Sequence, residues 1–364
     1  MSVDARIKSA TAHWGPRFVA NGVALADFED VTASIQSWDD WCRGWSERAG
    51  LHERLGHQAL ANNKLLSAGE HLQRAGVYYH FANFLFVHDL AQMKTANDKA
   101  IACRTLALPH LTPPGERVEI PYEGKHLYGI LRKPSGEERP PVVVMAMGLD
   151  SAKEETDAYE QPLLARGMAT LAFDGPGQGE GQYDFAIRGD YETPVKAVID
   201  YVETRRDLDS NRIGMWGVSL GGYYAPRATA FEKRIRACMA LGGPFDWAAA
   251  WDGLPELTRE AFRVRSHCQT MEEARRRAAT LSLVGVADRI TCPIYIMNGR
   301  LDRIVPCADA ERLAREVKGP VELNIIEDGN HIANNRAYKW RAHSADWMAE
   351  QLNALSPLAG RESG

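Results

Sequence analysis

Six short apolar runs constrain this 364-residue chain more than any other feature: Val142–Met147, Ala169–Phe173, Ile213–Trp216, Ala237–Leu241, Ile294–Met297 and Val321–Ile326. The first five are apolar or small at nearly every position, so they must be covered on both faces, whereas Val321–Ile326 alternates with Glu322 and Asn324 as an edge strand does. Helix-length segments separate them, and strands of that kind with helices between them build a parallel sheet clothed on both sides. The expected class is therefore α/β, with a mostly parallel, doubly wound sheet. Ahead of it, Arg117–Tyr122 and His126–Leu131 read as a hairpin turning at Glu123-Gly124-Lys125. Further upstream, from about Asp27 to Arg104, the apolar spacing is helical, with Trp38, Trp41 and Trp45 at i, i+3, i+7 and a second stretch over Leu72–Leu90. Thr112-Pro113-Pro114-Gly115 ends that pattern. The interval Pro244–Ile290 is too long for a simple crossover and holds a charged helical stretch, Met271–Ala279. These breaks predict four segments: a helical amino-terminal cap or dimerisation region over 1–115, a first core part over 116–243, a helical cap insertion over 244–290, and a second core part over 291–364.

Charge and composition exclude several classes. Forty-three basic against 48 acidic residues leave a net charge of −5, without a basic block to attract nucleic acid or an anionic membrane. The amino-terminal stretch has no apolar core of the signal-peptide kind, and no apolar run approaches membrane-spanning length. A cytoplasmic location is expected. Six scattered cysteines, without a C-x-x-C pair or a matching histidine spacing, read as reduced thiols and predict no metal site. The glycine-rich run Phe173-Asp174-Gly175-Pro176-Gly177-Gln178-Gly179-Glu180-Gly181 fails the dinucleotide pattern at Glu180, so no cofactor is predicted. It reads as a tight passage from strand to loop.

The chemistry concentrates in Gly217-Val218-Ser219-Leu220-Gly221, which follows the strand Ile213–Trp216 and precedes a helix-compatible stretch. A strand-to-helix turn this sharp puts the serine in an unfavourable backbone conformation and leaves no room for a Cβ two residues to either side. A serine hydroxyl is a weak nucleophile at neutral pH, so a base and a group to orient that base must follow. Asp302, after the strand Ile294–Met297, and His331, after the strand Val321–Ile326, supply them in the order that this turn requires. Asp328 is a second acid, but it stands very near His331 in sequence. Donors for a developing oxyanion are expected from the backbone N–H groups of Leu220 and Leu149. Trp247 and Trp251, at the start of the insertion, are candidate pocket walls.

With these motifs the chain resembles the α/β-hydrolase superfamily, and within it the 2,6-dihydroxypseudooxynicotine hydrolase family. The resemblance rests on Gly148–Glu155, Met168–Glu180, Gly189–Glu192, Ser219–Gly222 and Leu66–Gly69, and runs from about Trp38 to Leu352. It implies the α/β-hydrolase fold, a homodimer, and hydrolysis of a carbon–carbon bond beside a ketone by Ser219, Asp302 and His331. It also implies a glutamate in the cap insertion, a position that Leu254 holds here. Asp252 or Glu256 then stands in after a small shift, or the reaction differs. The expected partner is a small-molecule substrate, an aryl ketone or 1,3-diketone. The same triad also suits a carboxylesterase or thioesterase, and a hydrolase fold by itself is compatible with an idle binding protein.

Overall fold

The computed structural model describes residues 4–353; the outer ends of the expected first and last segments, 1–3 and 354–364, lie outside them. By packing, the chain divides into two units, Met1–Arg117 with Glu154–Ala158, and Val118–Lys153 with Tyr159–Gly364.

The first unit is helical: α1 (Ala5–Ala20), α2 (Leu25–Ser34), α3 (Trp41–Ala61), α4 (Leu65–Ala82) and α5 (Leu90–Ala107). Helix α1, which starts well before the helical pattern read from Asp27 onward, sends Ile7, Ala10, Trp14 and Phe18 inward. Phe18 stacks on Phe81 at 3.8 Å and lies 5.1 Å from Trp45, while Trp38 stacks on Trp41 at 4.8 Å. The aromatic stripes of α3 and α4 are thus buried inside one chain, and they do not call for a second subunit to cover them. The stretch Leu72–Leu90 is not one helix, because α4 ends at Ala82 and Leu85 turns through a positive φ of 53°. This unit also buries an ionic cluster. The fully buried Glu155 takes Arg17 Nε at 2.7 Å and Nη2 at 2.6 Å, Asn21 Nδ2 at 2.5 Å and the His80 ring at 3.1 Å. Burial opposes the charge on Glu155, but the Arg17 guanidinium outweighs it and holds the carboxyl well below the usual range.

The second unit carries eight strands: β1 (Gly115–Tyr122), β2 (Lys125–Arg132), β3 (Pro141–Ala146), β4 (Ala169–Asp174), β5 (Asp209–Val218), β6 (Ile235–Leu241), β7 (Ile294–Gly299) and β8 (Val321–Ile326). They pair in the order β1-β2-β4-β3-β5-β6-β7-β8. From β4 to β8 every neighbour is parallel, and β2 meets β4 antiparallel. Strand β3 is buried along its whole length, as its unbroken apolar run requires, and each Val or Met sealed there contributes about 1.5–3 kcal/mol. The helices between strands are α6 (Asp157–Leu164), α7 (Glu192–Thr204) and α8 (Gly221–Phe231). The insertion holds α9 (Trp247–Ala250), α10 (Glu256–Arg265) and α11 (Met271–Ala278), and α12 (Cys307–Glu316) and α13 (Arg341–Gln351) follow.

The insertion leaves and rejoins the sheet at one neck. Trp247 N–H donates to Leu281 O at 3.0 Å and Leu283 N–H to Phe245 O at 2.9 Å, on either side of the antiparallel bridge between Asp246 and Ser282. Helix α12 pins this neck from below, with Asp309 accepting from Phe245 N–H at 2.9 Å and Arg312 lying 4.1 Å over the Phe245 ring. Among the described residues no helix is long and apolar enough to cross a membrane.

Candidate active site

Strand β5 ends at Val218, and α8 begins three residues later at Gly221. Ser219 takes the whole of that turn, at φ +57°. Its own N–H is tied to Leu241 O of β6 at 2.8 Å, and its carbonyl accepts from Gly222 N–H at 2.7 Å, so the strained residue is fixed from both sides. A Cβ at Gly217 would run into Gly221, and one at Gly221 into Ala146 O, which is why both positions are glycine. The half-buried Ser219 hydroxyl is left at the carboxyl edge of the sheet, at the start of α8.

His331 Nε2 lies 2.9 Å from Ser219 Oγ, and His331 Nδ1 lies 2.7 Å from Asp302 Oδ2. The Asp302 and His331 side chains are both almost fully buried. The second oxygen of Asp302 accepts from the N–H groups of Ile304 at 2.8 Å and Val305 at 3.0 Å. The carboxylate therefore has one oxygen committed to its own loop and one to the imidazole. The His331 loop is held with equal firmness. Ile332 and Ala333 both sit at positive φ, 59° and 46°, a strain of about 1–3 kcal/mol each that the surroundings must offset. Asn330 and Asn335 clasp each other reciprocally, N–H to Oδ1, at 2.9 and 3.3 Å, and Ala333 N–H closes on Asn330 O at 2.7 Å.

The other expected acid is elsewhere. Asp328 is half-buried and bonded to Lys339 and Arg336, which hold its carboxyl down to about 2, and it makes no contact with the His331 ring.

Gly148 lies against the serine: a Cβ there would come within 2.8 Å of Ser219 Cβ and 2.9 Å of Val218 O. The loop after β3 therefore passes close beside the hydroxyl, with Leu149 next in line and buried. Leu220, also buried, stands at the amino end of α8, where N–H groups have no intrahelical acceptor. The Met147, Gly148 and Leu149 carbonyls are all bonded by side chains. Gln178 Nε2 donates to Met147 O and, at 3.1 Å, to Gly148 O, and Arg265 Nη1 donates to Leu149 O. Neither Gln178 nor Arg265 is apparent as a site residue from the sequence. The only signal was that Gln178 lies within the glycine run.

The insertion residues divide. Trp247 and Trp251 are buried and pack on Phe262, at 6.1 and 5.5 Å between ring centres. Asp252 and Glu256, by contrast, lie in solvent, and Asp252 is 73% exposed and paired with Arg275 at 2.7 Å. The helical turn Trp251–Gly253 leads into the extended Leu254, whose side chain is buried. That turn directs the apolar residue inward and the carboxylates outward, so the structure brings neither acid to Ser219.

Comparison with known proteins follows the same lines. The description "Prolyl oligopeptidase family" matches residues 155–355, and "Esterase FrsA-like" matches residues 26–250. The 2,6-dihydropseudooxynicotine hydrolase of Paenarthrobacter nicotinovorans is 35% identical, across 100% of this chain and 99% of that protein. The hydrolyase poxO of Penicillium oxalicum is 33% identical over 85% of this chain and 83% of its own. The crystal structure of the 2,6-dihydroxy-pseudo-oxynicotine hydrolase superposes with a TM-score of 0.85 at 33% identity, covering 96% of this chain and 97% of that one.

Proposed function

The chain belongs to the α/β-hydrolase family, in the group that contains 2,6-dihydropseudooxynicotine hydrolase, and on that premise we propose that it is a serine hydrolase cleaving a carbon–carbon bond beside a ketone through an acyl-enzyme. The observation that carries the proposal is the continuous relay from Ser219 Oγ through His331 to Asp302, at 2.9 and 2.7 Å. In this reading His331 Nε2 takes the hydroxyl proton as Ser219 Oγ attacks the ketone carbon. The Asp302 carboxylate stays ionised and stabilises the imidazolium. The tetrahedral oxyanion is met by the N–H groups of Leu220 and Leu149, the first reinforced by the amino end of α8.

Collapse of that intermediate breaks the bond to carbon, and the electron pair leaves on the departing fragment. Such a fragment must spread the charge, as an enolate or an electron-rich aromatic ring does, and His331 returns the proton to it. Water, deprotonated by His331, then opens the acyl-enzyme and regenerates Ser219. The net reaction turns ketone and water into a carboxylic acid and a new C–H bond. The same resemblance supports a homodimer acting on a small molecule in the cytoplasm, and sedimentation at micromolar concentration tests the dimer.

A second reading, an esterase, is favoured by the buried Leu254 and the exposed Asp252 and Glu256, because an alkoxide leaves without the help that a carbanion needs. The deciding experiment is a panel of aryl ketones, 1,3-diketones and p-nitrophenyl esters, run with fluorophosphonate labelling of Ser219. Efficient turnover of simple esters with no ketone cleaved decides for the esterase. Failure to label Ser219 counts against both readings.

A further inference from the structure

The glycine-rich run after β4 has a role beyond turning the chain. Gln178, buried within it, uses both ends of its amide. Its Oε1 accepts from Tyr191 OH at 2.6 Å and from Gly175 N–H at 3.1 Å, so the side chain has one fixed orientation. Its Nε2 faces the opposite way and donates to Met147 O and Gly148 O, the two carbonyls just before Leu149. The run is braced at both ends by Asp174, which accepts from the N–H groups of Lys153 at 3.0 Å and Glu180 at 2.9 Å and pairs with Lys153 Nζ at 2.7 Å.

The peptide between Gly148 and Leu149 is trans, so its N–H points away from its C=O. A donor that holds Gly148 O on one side of the loop therefore fixes the Leu149 N–H on the other. Without that donor the peptide loses the bond that fixes its rotation, because Gly148 has no side chain to resist a turn about its own backbone.

We propose that Gln178 is a positioning residue for the reaction: clamped by Tyr191, it locks the Gly148–Leu149 peptide so that the Leu149 N–H is preorganised for the oxyanion. The inference rests on the reading of Leu149 as an oxyanion donor. Preorganisation of this kind acts on the transition state and not on ground-state binding, which separates it from a packing role.

The test compares Gln178→Glu, Tyr191→Phe and Ser219→Ala with wild type. The assays are p-nitrophenyl acetate hydrolysis, a 1,3-diketone, and inhibition by a phenyl trifluoromethyl ketone, whose adduct with a serine carries the oxyanion. Gln178→Glu replaces the donor with an acceptor of the same shape. It is expected to lower kcat by about 10²-fold with KM within about threefold, to weaken the trifluoromethyl ketone by a similar factor, and to leave the pH profile of kcat/KM in place. Tyr191→Phe loosens the clamp alone and is expected to cost about three- to tenfold in the same two readings. Should Gln178→Glu fail to fold by circular dichroism, Tyr191→Phe decides. Unchanged kcat and unchanged inhibitor affinity, or a loss confined to KM or to thermal stability, overturns the proposal. Full activity in Ser219→Ala overturns the serine reading itself, whereas a dead Ser219→Ala beside an unaffected Gln178→Glu overturns only this one.

Discussion

Adding one methyl group at Gly148 tests the placement of the loop beside Ser219. In Gly148→Ala the new carbon would lie 2.8 Å from Ser219 Cβ and 2.9 Å from Val218 O, whereas ordinary contact begins near 3.4 Å. Val218 O belongs to β5 and Ser219 is held on two sides by backbone bonds, so the loop is the part that gives, by about 0.6 Å. A displacement of order 1 Å at a reacting centre costs about 10²-fold, and loss of one oxyanion donor costs roughly 10²–10³-fold, or about 2.7–4 kcal/mol. The expected outcome is a fall of about 10²-fold in kcat with little change in KM, together with a stability loss of about 1–3 kcal/mol from overpacking. Steady-state kinetics at 25 °C and urea unfolding measure the two effects separately. Gly253→Ala is the matched control, since a Cβ there meets nothing within 4 Å. If Gly148→Ala keeps kcat within about threefold of wild type, less than 1 kcal/mol of barrier, the oxyanion is not bound beside this loop.

Ser219→Ala and His331→Ala should each abolish turnover, and the double variant should be no worse than either, because the residues act as a unit; additive losses in kcat would argue for separate roles. Asp252→Asn and Glu256→Gln should leave ester and ketone turnover within about twofold of wild type, since both carboxylates lie in solvent. A selective loss of ketone cleavage in either would show that the acid reaches the reacting bond. Glu155→Gln leaves the Arg17 guanidinium buried without its counter-charge and should cost about 3–5 kcal/mol in denaturant unfolding at pH 7. The Glu155 carboxyl is held below its unfolded value of roughly 4.3, so its contribution is complete above that pH and is lost as pH falls through the depressed folded value. The gap between wild type and variant should therefore narrow in acid, and a gap that widens would refute the assignment.

The sheet was legible because its signal is local: Val142–Met147 and Ile294–Met297 are apolar at successive positions, and no exposed element tolerates that. The meeting of Ser219, Asp302 and His331 is legible because chain order and strand ends predict which loops come together. Helix α1 went unread even though Ile7, Ala10, Trp14 and Phe18 follow a helical period, since polar residues between them dilute the pattern. The cluster on Glu155 joins residues from α1, from α4 and from the chain after β3, and no spacing rule connects them. The Gln178 amide is of the same kind: its partners become neighbours only after the sheet has formed. Asp252 and Glu256 flank Leu254 in sequence, but the turn Trp251–Gly253 and the extended Leu254 after it turn the apolar side chain inward and leave both carboxylates in solvent.

The neck at Asp246 and Ser282 bears on how such a protein changes over generations. Its two strands meet within one bridge, so the registers of β6 and β7 are set without reference to what lies between Trp247 and Leu281. A doubling of an intervening segment adds only about 0.6 kcal/mol of closure entropy. This segment is therefore a cassette: as long as Arg265 keeps its bond to Leu149 O, the rest can be lengthened, shortened or exchanged with that of a relative while Ser219, Asp302 and His331 keep their places. Chimeras spliced at Phe245 and Leu283 should fold with the sheet intact, and lineages that share the relay should diverge fastest between those two residues.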